Sequence, residues 1–344
     1  MKRVLPAIGL FLLAPLVAEF LLGDLPITAI AGLLVVGPMY GGGALLIREL
    51  CRRFGWGWPG IVTLGLAYAF LEEGAATQSL FNPHYAHKHL LSYGHLPALG
   101  MGASWTVFVL TLHAVWSIGV PIACVELLTR DRRSTPWLGR LGLGVAAGLL
   151  LIGLVLNGVV GYEQSGFVAA PGQFALVAVV VIVLVAAAVV VGRRPRPAAR
   201  TGTAPSPWLL GAASLVVTSV VTGAWYEAKD SLSPWVYVVL VVLAWAAAIR
   251  LVGHWSRLTG WGAGHQLALA AGALLTYAWE GFVTSHMLVD ASPAIALASH
   301  LLFAAGAVLL IVVAAYRVSR AAVPMADVAD VADVAETGRR VGQQ

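Results

Sequence analysis

Apolar runs close to 20 residues long recur along the chain, at about 4 to 22, 27 to 47, 60 to 80, 104 to 128, 139 to 160 and 172 to 192, then at about 208 to 226, 235 to 252, 265 to 288 and 294 to 316. About 20 apolar residues in a helix rising 1.5 Å each cover the ~30 Å hydrocarbon core of a bilayer. Charge, proline, glycine or small polar residues bound each run, which is how spans are separated rather than how one buried helix continues. The pattern predicts an all-α polytopic transmembrane helix bundle of about ten spans.

Composition closes off the soluble alternative. The 344 residues are 59% hydrophobic and 11% charged, with mean hydropathy +0.85, against roughly 25% charged in a soluble domain. The formal charge of +5 is local: Lys2-Arg3, Arg48 with Arg52-Arg53, Arg130 with Arg132-Arg133, Arg193-Arg194 with Arg196 and Arg200, Arg250 with Arg257, and Arg317 with Arg320 all fall at the run ends and connections on one side of the alternation. The other intervening segments hold only Lys88 and Lys229. By the positive-inside rule this predicts a plasma-membrane protein with both termini cytoplasmic. It also argues against a nucleic-acid partner, which needs a continuous basic face. Met1 to Gly23 reads as a first span, because its apolar run exceeds a usual signal-peptide core. Cys51 and Cys124 fall at expected cytoplasmic helix ends, where a disulfide is not expected.

Four segments are expected: a six-span bundle over 1–192, a Pro- and Arg-rich cytoplasmic linker over 193–207, a four-span bundle over 208–317, and a disordered acidic tail over 318–344 that repeats Ala-Asp-Val. Gly37, Pro38, Gly41, Gly42 and Gly43 interrupt the second span, either as tight helix packing or as a broken helix lining a cavity. Gly144 and Gly148 form a small-xxx-small pair expected to pack.

Inside the spans stand Glu72, Glu73, His113, Glu280 and His300, each costly in hydrocarbon unless paired or hydrated. Counting along the alternating spans places all five in the outer half of the bilayer. Glu19, Asn157, Glu163, Glu227 and His286 lie nearer the same side, as does the loop with His84, His87, His89 and His95. The one-sided polarity predicts a hydrated cavity open away from the cytoplasm and floored by the Glu and His residues. The loop histidines read as solvated.

Carboxylates adjacent on a helix diverge by about 100°, so one of Glu72 and Glu73 is expected to work as general acid or base, with His113 beside it. His113, Glu280 and His300 are candidate ligands for Zn²⁺, since imidazole and carboxylate are its usual donors. A single interhelical hydrogen bond for each histidine is the other reading. Paired glutamates in a span, a histidine one span later and another near the end of the domain resemble the CAAX-protease and bacteriocin-processing (CPBP, or Abi) intramembrane proteases. That family has Arg after its glutamate pair, where this chain has Gly74 to Thr77, and Phe four residues before its second-motif histidine, where this chain has Val109. Where its third-motif histidine is followed four residues on by Asn or Asp, His300 is followed by Ala304. The resemblance implies water activation by Glu73 or Glu72, with His113 and His300 holding a metal or an oxyanion, on a membrane-embedded or extracytoplasmic substrate. Three functions are therefore carried forward: an intramembrane hydrolase, a proton- or cation-coupled transporter using the same polar residues, and a scaffold in which they only lock helices together.

Overall fold

The computed structural model describes residues 4–195, 198–227, 231–283 and 289–320. The architecture is the expected helix bundle: helical segments follow the order of the apolar runs, and the strands among the described residues are the paired dipeptides His95–Leu96 (β1) and Met101–Gly102 (β2). The first rod is α1 (Leu5–Pro15) continued by a π-helical turn, Leu16–Leu21. A 3-10 stretch, Ile27–Gly32, leads into α2 (Leu33–Phe54). The third rod is α3 (Gly57–Leu71) with a π turn, Glu72–Ala76, and the fourth is α4 (Ala103–Leu112), a π turn, His113–Gly119, and α5 (Val120–Leu128). There follow α6 (Arg140–Ser165), α7 (Pro171–Gly192), α8 (Pro207–Glu227), α9 (Pro234–Trp255), α10 (Ala263–Glu280) and α11 (Pro293–Arg320). Among the described residues seven helices are long and apolar enough to cross a membrane, while Leu5–Leu21 is a shorter apolar helix.

Burial orders these rods from centre to rim. The Ala103–Leu128 rod is 83% buried, whereas α6, α7, α9 and α11 bury 17% or less of their apolar stretches. Their outward faces are rows of Leu, Val and Ile, a surface that belongs in hydrocarbon. The first four rods and α10 therefore form the core on which the other helices lean. The two halves of the chain are not separate in space: the Trp116 indole donates to the Ala273 carbonyl at 2.7 Å and stacks on Tyr277 with centroids 4.4 Å apart.

The glycine run of the second span resolves as packing. α2 continues through Pro38, and a Cβ on Gly41, Gly42 or Gly43 would lie 2.4 Å from Phe11, 2.7 Å from Leu150 or 2.4 Å from Tyr68, respectively. Each glycine admits a different neighbour. Gly144 and Gly148, by contrast, have nothing within 4 Å; the close crossing of α6 on α2 is made at Gly153, where a Cβ would be 2.2 Å from the Met39 nitrogen. The helix turns its other face to the bundle, and small-residue spacing alone does not say which face that is. Gly153→Leu is expected to destabilise the chain by at least about 1–3 kcal/mol, the usual cost of overpacking, read as a lowered thermal midpoint in detergent; an unchanged midpoint would refute the crossing.

The stretch expected as a free linker is partly tied down. Arg200 N donates to Arg257 O at 2.9 Å, Ala204 N to Thr259 O at 2.9 Å, and the His265 ring meets the Pro205 carbonyl at 2.9 Å. The tail from 321 onward, and its Ala-Asp-Val repeats, lie outside the described residues.

At the arginine-bearing end of the bundle lies an ionic network that residue counting had treated only as an orientation signal. Arg48 and Glu49 are both fully buried. Arg48 donates to Glu126 (3.0 Å), to Glu49 (2.6 Å) and to the carbonyls of Arg132 (3.2 Å) and Arg133 (3.0 Å), and its guanidinium lies 3.4 Å from the Trp137 ring centroid. Arg52 clamps Glu126 with two bonds, 2.7 and 2.6 Å. Glu49 accepts the backbone N–H groups of Trp137 (2.9 Å) and Leu138 (3.1 Å), so the loop after α5 is fastened to α2.

Candidate intramembrane carboxylate–imidazole site

Among the described residues three rods widen into π-helical turns, and each of those turns carries a polar side chain: Glu19 in Leu16–Leu21, Glu72 and Glu73 in Glu72–Ala76, and His113 in His113–Gly119. A π turn adds a residue to the helical circuit and is frequent at functional sites. Here it has a steric effect. The wider winding narrows the angle between Glu72 and Glu73, so both carboxylates reach one imidazole, contrary to the divergence expected of an α-helix.

His113 is the meeting point. Its Nε2 lies 2.6 Å from Glu73 Oε1, and its Nδ1 lies 3.2 Å from Glu72 Oε2 and 3.1 Å from the Ser117 hydroxyl. One ligand atom from each of Glu72, Glu73 and His113 falls within 4.8 Å of the others. All three side chains are buried.

The second oxygen of Glu73 is held by its own chain. Thr77 Oγ1 donates to Glu73 Oε2 at 3.1 Å, the Ser79 hydroxyl donates to the same oxygen, and the Trp105 indole donates to Ser79 at 3.0 Å. Ser79 reaches back because Gln78 takes a left-handed conformation, φ 56°, a costly choice for a non-glycine residue. The Gln78 side chain is in turn fixed by the Ala169 N–H at 2.7 Å. A fork of donors thus fixes which Glu73 oxygen faces the imidazole.

Tyrosines form the other wall. Tyr40 stacks on His113, with centroids 5.8 Å apart and planes at 15°, and Tyr68 meets the ring edge-on at 6.5 Å. Gly43 makes the space Tyr68 occupies. Both hydroxyls lie beside Glu72, although neither Glu72 oxygen has a well-formed hydrogen bond. The Tyr40 hydroxyl donates to Glu19 at 2.5 Å, extending the polar cluster toward Asp24 in the turn after the first rod. Burial, then the adjacent Glu19, pushes the Asp24 carboxyl well above the usual carboxylate range.

The other sequence candidates lie elsewhere. His113, Glu280 and His300 do not assemble as a three-ligand group among the described residues. Glu280 accepts a hydrogen bond from Thr222 across the α8–α10 contact. The His300 ring packs against the Gly23 turn, where a Cβ would be 2.9 Å away, and against Gly281. Equal depth put these residues in one plane, but depth does not fix azimuth around the bundle. His84, His87, His89 and His95 are exposed, with His84 and His89 rings 5.9 Å apart. Asn157 donates to the Val35 carbonyl at 3.1 Å. His286 and the Glu227 side chain lie outside the described residues.

The expected open floor is also different: the cluster sits beneath the tyrosines and the 77–102 loop, whose Leu80, Phe81, Leu90 and Leu91 are buried. An apolar groove of about 530 Å³ opens behind the π turn instead, lined by Ala75, Ala76, Leu154, Gly158 and Tyr162 among others, with Glu163 at its wall. Sequence reasoning missed Tyr40, Ser79 and Gln78, since no periodicity or charge marks a hydroxyl that arrives from a loop or another helix.

No curated protein and no solved structure matches the chain. A family model does, over residues 9–206, a stretch that contains Glu19, Tyr40, Glu72, Glu73 and His113 and stops before Glu280 and His300. With a helix bundle rimmed by apolar residues and a match spanning more than half its length, the chain belongs to an uncharacterized membrane protein family.

Proposed function

We propose that this protein is a membrane-embedded hydrolase of the plasma membrane, with both termini cytoplasmic, in which Glu73 activates water and His113 assists. The observation that carries the reading is the 2.6 Å contact between Glu73 Oε1 and His113 Nε2, with the second Glu73 oxygen and the second imidazole nitrogen each fixed by further groups. A carboxylate and an imidazole in contact form an acid–base pair, and fixing their partners preorganises it. In hydrolysis the water oxygen bonds to a carbonyl carbon as Glu73 takes its proton. A protonated His113 stabilises the oxyanion, and the proton then passes to the leaving group as its bond to carbon breaks. The substrate is membrane-embedded or reaches the site from outside. The resemblance to CPBP proteases supports the same residues.

Zinc is the ion that this donor set would suit. Glu72, Glu73 and His113 are donors of the right kind and lie close together. The direct Glu73–His113 hydrogen bond would have to open to admit an ion, because ligands on one tetrahedral zinc stand farther apart than 2.6 Å. Bound there, a zinc ion would polarise a carbonyl and offset two buried negative charges. Metal analysis of purified protein before and after His113→Asn checks this: the metal should fall below about a tenth of an equivalent in the variant if the histidine holds it.

A proton-coupled transporter is the rival, favoured by the burial of all three side chains, since a proton reaches a closed site more readily than a peptide does. The deciding experiment incubates reconstituted protein with lipidated peptides, membrane-segment peptides and phospholipids, and separately measures proton flux in the same vesicles. Hydrolysis that His113→Asn removes supports the enzyme. Flux that His113→Asn removes, without hydrolysis, overturns it in favour of transport; neither activity leaves the scaffold.

A further inference from the structure

A second polar centre lies between α8 and α10, apart from the carboxylate–imidazole site. The helices touch at their backbones there: a Cβ on Gly272 would lie 2.6 Å from the Gly211 carbonyl and the Leu215 nitrogen. Ser214, Thr218 and Thr222 follow one face of α8 at helical spacing, and Thr276 and Glu280 follow the facing stripe of α10. Glu280 is fully buried. One of its oxygens meets Thr222, the other has no hydrogen-bond partner, and no ion pair among the described residues involves it.

Each hydroxyl brings one hydrogen and two acceptor lone pairs. Thr218 donates to the Ser214 carbonyl (2.6 Å), Thr222 to the Thr218 carbonyl (2.8 Å) and Thr276 to the Gly272 carbonyl (3.2 Å). The single Thr222 hydrogen is shared between the Thr218 carbonyl and Glu280, and Thr218 and Thr276 are hydrogen-bonded to each other at 2.6 Å, so the hydroxyl oxygens keep lone pairs beside the carboxylate. Ser219 adds one hydroxyl 3.2 Å from Thr276, and the Trp279 indole donates to Ser219 at 2.8 Å. Among the described residues no cationic side chain pairs with the Glu280 carboxylate, whose second oxygen has no partner, and an uncompensated charge in a low-dielectric site is costly.

We propose that the α8–α10 hydroxyl cluster and Glu280 form a binding site for a monovalent alkali cation. The donors are all hard oxygens, which suit alkali and alkaline-earth ions rather than zinc. The single carboxylate offers one negative charge, where divalent sites gather several. This site does not depend on the hydrolytic reading.

The test uses the full chain in detergent, with Na⁺ as probe against choline at equal ionic strength and constant pH, and thermal unfolding followed by tryptophan fluorescence. Na⁺ should raise the midpoint saturably, as a ligand of the folded state does. Glu280→Gln should abolish the rise, and Thr222→Val should weaken the apparent Na⁺ affinity by about tenfold or more. Equal midpoints in Na⁺ and choline for the unsubstituted protein overturn the proposal, as does a full Na⁺ response in Glu280→Gln. An infrared carbonyl band of a protonated acid, insensitive to Na⁺ and lost in Glu280→Gln, also overturns it and assigns the missing charge to a proton. Should Glu280→Gln fail to fold, the unsubstituted response and Thr222→Val decide.

Discussion

Under the hydrolase proposal Glu73→Gln is expected to lower turnover by about 10²- to 10⁴-fold, the range for losing a general base, while leaving the chain folded. Glutamine keeps the volume of the side chain, and its carbonyl oxygen still accepts from Thr77 and Ser79. Its amide has no basicity to give the water, and it presents no charge to His113. The variant should therefore purify as a monodisperse species with a thermal midpoint near that of the unsubstituted protein. Glu72→Gln makes the comparison informative. Glu72 contacts the other imidazole nitrogen at 3.2 Å and has no fork of donors behind it, so its loss should shift the pH profile of turnover more than its maximum. Equal losses for the two substitutions would contradict the assignment of Glu73 as the base. A scaffold would behave differently again, with midpoints falling and no activity to lose.

Arg48→Met should destabilise the chain by about 3–5 kcal/mol, the cost of breaking a buried charge pair by removing one partner. Methionine keeps much of the aliphatic stem, so packing volume is not the main loss. The substitution removes the bonds to Glu126 and Glu49 and to two loop carbonyls, along with the Trp137 stack. Glu126 retains Arg52, but Glu49 is left fully buried with two backbone N–H donors and Arg53 at 3.7 Å. The loop from Arg130 to Leu138 should then detach from α2, detectable as faster amide exchange at Trp137 and Leu138. Retention of both the midpoint and the protection would show that the network contributes orientation of the chain in the membrane and nothing to its fold.

The sequence made some of these features legible and others not, for identifiable reasons. Long apolar runs impose helices because nothing else satisfies the backbone in hydrocarbon. Glu72, Glu73 and His113 stood out because ionisable groups in such runs are expensive. Among the described residues His113 groups with Glu72 and Glu73 rather than with Glu280 and His300, since common depth carries no information about which helices are neighbours. Arg48, Arg52 and Arg53 mark orientation in the sequence, and their burial against Glu49 and Glu126 is invisible there because Glu49 adjoins Arg48 and Glu126 lies four residues before Arg130, so both look like ordinary helix-end charges. Gly144 and Gly148 satisfied a packing pattern on a face that meets nothing, while Gly153, outside that pair, makes the crossing.

By itself the sequence determined that the chain is a multi-span helix bundle and that its intramembrane polarity is concentrated in a few Glu and His residues, because hydrophobic length and charge cost act locally along the chain. Only the tertiary structure decided which of those residues meet. The α3 and α4 rods each slip into a wider turn at the polar position, and that local unwinding, together with loop hydroxyls arriving at Glu73, rests on contacts between segments distant in sequence.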